Sequence, residues 1–380
     1  MRLVLVTQDF PPDTGGTQTY AFELAHRFAD ACDAFAVVAP AVEGSEAFDA
    51  TLPFEVIRVD ASYDTLSVKA APVLTRLAQK RGFDTLFHVQ WPTAIAGLWA
   101  RRRSPIQRVF IAAHGRELLL SSLPSTVLRR GYDATRRRVL HAADGLFPVS
   151  HYTAGLLHDL GADAARITVA ANGVDQERFT PTDASTLRER LGLSGCRIIL
   201  SMCRLVGRKG VDTVLAALPK TLQHHPDVIY LIGGTGPMEA DLHQQVRALS
   251  LEAHVRFLGR VPDAELVTTY NLCEVFVMVP RNAPPDVEGF GLVYLEAGAC
   301  GKPVVGSTAG GIPDAIDDGQ TGHLVPPDAP DALADTLISL LDHPEHSARM
   351  GATARTQILE RRTWDHTAEQ LLHQMQLPPT

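Results

Sequence analysis

The sequence predicts an α/β protein built from two doubly wound domains. Three observations carry this. Short β-branched runs alternate with amphipathic helical stretches. The alternation stops at a polar segment and then restarts. And 380 residues, 45% of them hydrophobic, are many for one core and comfortable for two.

In the first half the runs predict strands over 2–7, 35–39, 54–59, 85–89, 108–113, 145–149 and 167–170. Helices are expected between them over 17–30, 68–80, 93–101, 125–141 and 151–160. Segment 179–195 is polar, contains Pro181 and reads as a linker. Strands are then expected over 197–202, 228–232, 255–258, 275–279, 303–306 and 323–325. Helices over 210–222, 238–250, 263–271, 292–300, 312–317, 329–341 and 345–361 accompany them. A last helix, 364–375, has no strand after it. The expected domains are 1–185 and 186–361, with the C-terminal helix (362–380) packing back on the first. Sheets of this kind bind ligands at the carboxyl ends of their strands. The expected site is therefore a cleft between two such edges, built from the loops that follow strands.

Composition narrows the function. A formal net charge of -8 argues against a nucleic-acid binder. The five cysteines are scattered without metal-ligand spacing, which fits reduced thiols in a cytosolic protein. The apolar run at the N-terminus ends at Asp9, too soon for a signal peptide. No stretch reaches the roughly 20 apolar residues that span a bilayer. The expectation is a cytoplasmic protein, soluble or attached to the inner face of the cell membrane.

The loops sort the nucleotide chemistry. Gly15-Gly16 opens a helix after the first strand, so backbone N–H groups can approach a phosphate. An ordinary βα turn is the alternative reading of that loop. Neither it nor Gly234-Thr235-Gly236 completes a dinucleotide fingerprint, and no Walker A motif exists. A dehydrogenase and a P-loop enzyme are disfavoured. Arg204 and Lys209 flank a loop that follows a strand and opens a helix, where a guanidinium and an ammonium can converge on a diphosphate. A solvated basic loop is the plainer alternative. In Glu288-Gly289-Phe290-Gly291-Leu292-Val293-Tyr294-Leu295-Glu296, two glycines leave amides open at a helix start. Glu288 stands before that start and Glu296 one turn inside, suited to sugar hydroxyls and to a ribose diol. A capping carboxylate and a surface helix residue are the bland readings. His114, before Gly115 at a strand's carboxyl end, is either a cleft-facing group or a packing histidine.

Together these segments resemble glycosyltransferase family 4, retaining enzymes of the GT-B fold with two Rossmann-like domains facing across a cleft. The most specific element is the Glu-x7-Glu pattern of Glu288 and Glu296. Supporting it are Arg204 with Lys209, His114-Gly115, Asn172-Gly173-Val174-Asp175, Phe257-Leu258-Gly259-Arg260-Val261 and Gly301-Lys302-Pro303. Within the family, Asp9-Phe10-Pro11-Pro12 and Ser201-Met202-Cys203-Arg204 are similar to bacterial phosphatidylinositol mannoside mannosyltransferases, which use GDP-mannose.

The resemblance implies roles. His114, Arg204, Lys209 and Glu288 would be catalytic. Gly15, Gly16, Gly234, Arg260, Val261, Gly289, Phe290, Gly291, Leu292 and Glu296 would bind the donor. It implies no cofactor and no metal, the basic pair standing in for one. The implied reaction moves a hexose, mannose from GDP-mannose before UDP-glucose or another UDP-sugar, to a hydroxyl acceptor on a lipid, a small molecule or a glycan. Rival classes are a nucleotide-sugar epimerase and a non-catalytic nucleotide-sugar-binding protein. Arg129, Arg130, Arg136, Arg137 and Arg138 on helix 125–141, with Arg101, Arg102 and Arg103, read either as a contact with an anionic membrane or as solvated helix faces. His343 and His346 have no third ligand and read as surface residues.

Overall fold

The computed structural model describes residues 1–119 and 126–377, with 126–128 by backbone alone. In chain order it forms β1 (Arg2–Val6), α1 (Gly16–Ala31), β2 (Ala34–Pro40), α2 (Ser45–Asp49), β3 (Glu55–Val59), α3 (Leu66–Arg81), β4 (Thr85–His88) and α4 (Trp91–Arg101). Next come β5 (Arg108–Ala113), α5 (Arg116–Leu119), α6 (Thr126–Ala142), β6 (Gly145–Pro148), α7 (His151–Asp159) and α8 (Ser185–Arg190). The second series is β7 (Arg197–Met202), α9 (Val211–His224), β8 (Val228–Gly233), α10 (Glu239–Ala248), β9 (Val255–Gly259), α11 (Asp263–Leu272), β10 (Val275–Val277) and α12 (Leu292–Ala299). It closes with β11 (Val304–Ser307), β12 (Gly322–Val325), α13 (Pro330–Asp342), α14 (Pro344–Arg361) and α15 (Trp364–Gln376).

Two compact units result: Met1–Asn172 with Trp364–Thr380, and Gly173–Thr363. Each holds a six-stranded sheet, ordered β3-β2-β1-β4-β5-β6 in the first and β12-β11-β10-β7-β8-β9 in the second. All named strand pairs are parallel. Val6 lies opposite His88 and Leu200 opposite Phe276, which sets the register at the centre of each sheet. A parallel sheet needs helices on both faces, so its strands are apolar throughout. Leu3, Val4, Leu5 and Val6 are fully buried, as are Ile198, Ile199 and Leu200. In both sheets the strand order reverses beside the first strand, at β1/β4 and at β7/β10. Ligands in open α/β sheets sit at such switch points.

The structure differs from expectation in several places. The chain passes from one unit to the other at 172/173, ahead of the expected 185/186. Segment 179–195 is less a linker than part of the second unit. Asn271 Nδ2 donates to the Thr180 carbonyl at 2.9 Å, Thr182 N donates to Asn271 Oδ1 at 3.1 Å, and α8 forms inside it. Segment 167–170 is no strand, since only Ile167 makes a bridge, to Leu146. Segment 312–317 shortens to a 3-10 turn at Ile312–Asp314. Ser125, the expected start of α6, lies outside the described residues. Helix α15 packs on α1 of the first unit: Arg27 Nε meets Asp365 at 2.6 Å, and Tyr20 packs edge-on against Trp364.

Candidate functional site

In the second unit the loops after β7 and β10 meet at the switch point. After β7 the backbone tightens into a 3-10 turn at Gly207–Lys209, and Gly210 follows at φ 73. Any Cβ on Gly210 would lie 2.0 Å from the Val279 carbonyl oxygen, so only glycine lets the turn press against the end of β10. Arg281 N donates to the Arg208 carbonyl at 2.9 Å from the β10 side. The turn thereby delivers two neighbouring cations to one place. Lys209 Nζ donates to Glu288 Oε2 at 2.5 Å, and Arg208 Nη1 donates to the same oxygen at 2.6 Å. The Lys209 and Glu288 side chains are only 12% and 13% exposed, so the pair is largely out of water. Burial pushes the Glu288 carboxyl up, but Lys209 and then Arg208 outweigh it and hold the group below its ordinary value.

The Glu288 backbone is pinned as well. Gly311 N donates to its carbonyl at 2.9 Å, and Gly310, at φ 56, leaves no room for a Cβ beside that oxygen. Past Glu288, Gly291 opens α12 at φ 97, with no side-chain cap and no acidic residue in the first turn. The helix start is a bare set of amides, suited to an anion. Glu296 lies on the same helix, half-buried. Tyr270 Oη donates to its Oε2 at 2.5 Å. Burial raises the Glu296 carboxyl, and the Tyr270 hydrogen bond opposes that rise. The Tyr270 ring is held edge-on by Phe179.

Several expected residues stand elsewhere. Arg204 was expected to converge with Lys209. It lies on the same loop and is exposed; it is Arg208 that shares Glu288 with Lys209, while the expected partner of Arg204 is a bound diphosphate. Gly234, at φ 122, has a packing duty. A Cβ there would strike the Cys203 carbonyl at 1.9 Å, and the close approach lets Leu205 N donate to the Thr235 carbonyl at 2.9 Å. Arg260 is exposed just past β9, and Val261 is half-buried against Gly233. Phe290 is buried, while Gly289 and Leu292 are half-buried.

The first unit builds a different kind of cluster. Gly15 caps α1 with extended backbone, and Gly16 begins it, again without a side-chain cap or an acid in the first turn. His114 Nε2 lies 3.1 Å from the Val89 carbonyl. A carbonyl only accepts, so Nε2 carries the proton and Nδ1 presents its lone pair. Burial drives this imidazole down to about 4, the Val89 hydrogen bond opposing, so it is neutral at physiological pH. Tyr20 packs edge-on against the ring, 4.7 Å between centroids. Glu117, three residues on, reaches back to accept from His114 N at 2.6 Å and Gly115 N at 3.4 Å. At the β1/β4 switch, Asp9 accepts from Gln18 Nε2 at 3.2 Å, and Tyr63 Oη donates to Gln90 at 3.1 Å. Burial raises Asp9 and Glu117 above ordinary carboxylates.

Sequence reasoning missed Arg208, Tyr270 and Glu117. The first lies inside the basic loop between Arg204 and Lys209, next to the residue that was given a role. The last carried a signal, since an acid three residues into a turn often reaches back to the backbone at its start. Nothing near Tyr270 announced its partner.

The basic clusters also separate. Arg129, Arg130, Arg137 and Arg138 are exposed, but Arg136 is buried and bonds the Leu118 carbonyl and Asp133. Arg101 pairs with Asp144 at 2.8 Å, while Arg103 lies 3.9 Å over the half-exposed Trp99 ring. His343 and His346 are exposed. Among the described residues, no helix is long and apolar enough to cross a membrane, and no cluster of three or more His, Cys, Asp or Glu could hold a metal.

Comparison with known proteins agrees with the geometry. The family described as Glycosyltransferase Family 4 matches residues 14–178, and that described as Glycosyl transferases group 1 matches 183–357. A GDP-mannose-dependent monoacylated alpha-(1-6)-phosphatidylinositol monomannoside mannosyltransferase of Corynebacterium glutamicum is 32% identical over 100% of this chain and 98% of its own. A GDP-mannose-dependent alpha-(1-6)-phosphatidylinositol monomannoside mannosyltransferase of Mycolicibacterium smegmatis is 34% identical over 95% of each chain. Among solved structures, Anabaena HepE in complex with UDP superposes with a TM-score of 0.81, at 22% identity and 99% coverage of both chains. Sucrose-phosphate synthase of Thermosynechococcus elongatus gives 0.78 at 21% identity and 98% coverage of both. The last two speak to fold alone.

Proposed function

The chain belongs to glycosyltransferase family 4 and has its GT-B fold; from that premise we propose that it transfers mannose from GDP-mannose, with retention, to a phosphatidylinositol mannoside. The observation that carries the reading is the Lys209–Glu288–Arg208 cluster beside the bare start of α12. It offers an ammonium for a diphosphate, amides for its oxygens and a carboxylate for sugar hydroxyls within one loop system. The choice of mannose and of a lipid acceptor is supported by the relatives, whose names carry both.

In this reading the leaving diphosphate is held by Lys209 and Arg204, with no metal required. Glu288 Oε1, to which no side chain among the described residues donates, takes sugar hydroxyls. Glu296 takes the ribose, its geometry fixed by Tyr270. Arg260 and Val261 border the base, and the amides of Gly289 and Gly291 meet phosphate oxygens; those of Gly15 and Gly16 are the first unit's own candidates for such a contact. His114, neutral and with its Nε2 proton committed to Val89, can only accept from a hydroxyl at Nδ1. The glycosidic bond loosens first, and the departing phosphate takes the acceptor's proton on the same face. Electrostatic stabilisation of that phosphate is the main catalytic term, about 3–4 kcal/mol per well-aimed donor. The exposed arginines of α6 and the Trp99–Arg103 pair support a peripheral seat on an anionic membrane.

The test is transfer from radiolabelled GDP-mannose and UDP-glucose to phosphatidylinositol, its monomannoside and free inositol, with products separated by chromatography. Labelled lipid from GDP-mannose is expected. Product from UDP-glucose alone, or on inositol alone, overturns the donor or the acceptor. Thermal shift with GDP, UDP and ADP reports the base independently. Failure to co-sediment with anionic vesicles at low salt rejects the membrane seat.

A further inference from the structure

Glu288 Oε2 accepts from two cations at once, Lys209 Nζ at 2.5 Å and Arg208 Nη1 at 2.6 Å. The backbones that carry the three residues are fixed, by Arg281 N on the Arg208 carbonyl, by Gly210 against Val279 and by Gly311 N on the Glu288 carbonyl. Only the side chains are free to change partners. A diphosphate that recruits Lys209 therefore competes with Glu288 for the ammonium. Were Lys209 the sole partner, its departure would strand a carboxylate that is 13% exposed, and burying an unpaired charge is strongly unfavourable. A second, charge-assisted bond from a neighbouring guanidinium removes that cost.

We propose that Arg208 is a positioning residue: it retains Glu288 when Lys209 is handed to the donor's diphosphate, so that the exchange does not leave the carboxylate unpaired. The inference rests on the donor reading above and adds to it a division of labour within the loop. Lys209 serves the phosphate and Arg208 serves Glu288. Glu288 in turn acts as an internal competitor, an anion that occupies the lysine until a better one arrives.

A double-mutant cycle on nucleotide binding tests this, because a nucleoside diphosphate without sugar isolates the phosphate contacts from the sugar contacts of Glu288. GDP and UDP are titrated calorimetrically into the wild type, and the tighter binder is used for Arg208→Ala, Glu288→Gln and the double variant. Arg208→Ala is expected to weaken binding about tenfold, the scale of one charge-assisted hydrogen bond. Glu288→Gln is expected to tighten binding while lowering kcat, since the competitor goes and the sugar contact goes with it. In the Glu288→Gln background, Arg208→Ala should change affinity by less than about twofold, within additivity error. Arg208→Lys should restore affinity to within about threefold of wild type, as it keeps the charge without the fork; it and Arg208→Gln carry the test if the alanine variant does not fold.

Equal loss from Arg208→Ala in both backgrounds overturns the proposal and puts Arg208 on the phosphate itself. No loss from Arg208→Ala in the otherwise wild-type chain also overturns it, as does weaker binding by Glu288→Gln. If wild type binds neither nucleotide, the donor reading falls and takes this inference with it. If it binds one and the cycle is additive, only the role of Arg208 falls.

Discussion

The two units have the same strand order yet equip their switch points in opposite ways. The second unit gathers full charges and pairs them, Lys209 and Arg208 on Glu288. The first gathers polar groups that burial holds toward their neutral forms, His114, Glu117 and Asp9. One architecture thus serves two tasks. Paired charge suits a ligand that is itself highly charged and must displace an internal counter-ion. Desolvated hydrogen-bonding groups suit hydroxyls, whose recognition depends on direction more than on charge.

The sharpest way to break this comparison is to remove its strongest charge. Lys209→Ala should lower kcat by on the order of 10²-fold in a steady-state transfer assay. Near-wild-type turnover would remove Lys209 from the mechanism and the second unit's charge from the chemistry. His114→Ala should fall short of that, with transfer down about tenfold, the scale of one lost hydrogen bond, and nucleotide affinity by calorimetry nearly unchanged. Abolished nucleotide affinity would mean that His114 serves the phosphates and not the sugar. Tyr270→Phe is smaller still. It frees Glu296 from its one phenolic donor, and nucleotide affinity should drop by about three- to tenfold, with kcat held. A kcat effect without an affinity effect would take Glu296 off the ribose.

The smallest expected effect concerns pH. Burial takes His114 down to about 4, against the Val89 hydrogen bond, and His88 down to about 3. The unfolded chain, with histidines near 6.5, then binds more protons than the folded one between those values. Stability therefore rises with pH in that window: the contribution is complete above pH ~6.5 and is lost as pH falls through the folded values. His114→Asn should flatten part of the decline in urea midpoint between pH ~6.5 and ~4, leaving the share of His88. An unchanged slope would mean that His114 titrates freely, and the contrast between the desolvated and the charge-paired switch points would weaken.

Much of the fold was legible because parallel strands buried on both faces read as continuous apolar runs. Segment 108–113 was placed to the residue, and 197–202 likewise. Segment 167–170 has the same β-branched texture, and Thr168 N and Ala170 N do donate to the Leu146 and Pro148 carbonyls of β6, but Pro148 has no N–H to return a bond and the ladder goes no further than the Leu146–Ile167 bridge. Of the site, Lys209, Glu288 and Glu296 were visible through spacing and flanking glycines. Arg208 and Tyr270 were not, because each is defined by a partner that only the tertiary fold supplies, 80 and 26 residues away. Arg136 shows the converse. It sits in a run of basic residues that reads as a solvated face, yet helix periodicity aligns it with Tyr132, which packs on Trp91, and turns it inward to Leu118 and Asp133.

Helix α15 has a practical consequence. It comes last in the chain but is built into the first unit, where Arg27 meets Asp365, Thr367 Oγ1 donates to the Ala171 carbonyl, and Arg108 bonds the carbonyls of Met375 and Leu377. A fragment cut at residue 172 would expose the buried Trp364-facing side of Tyr20 and would be expected to aggregate. Grafting residues 364–377 behind it should yield an autonomous piece, so the smallest expressible first half is discontinuous in the gene.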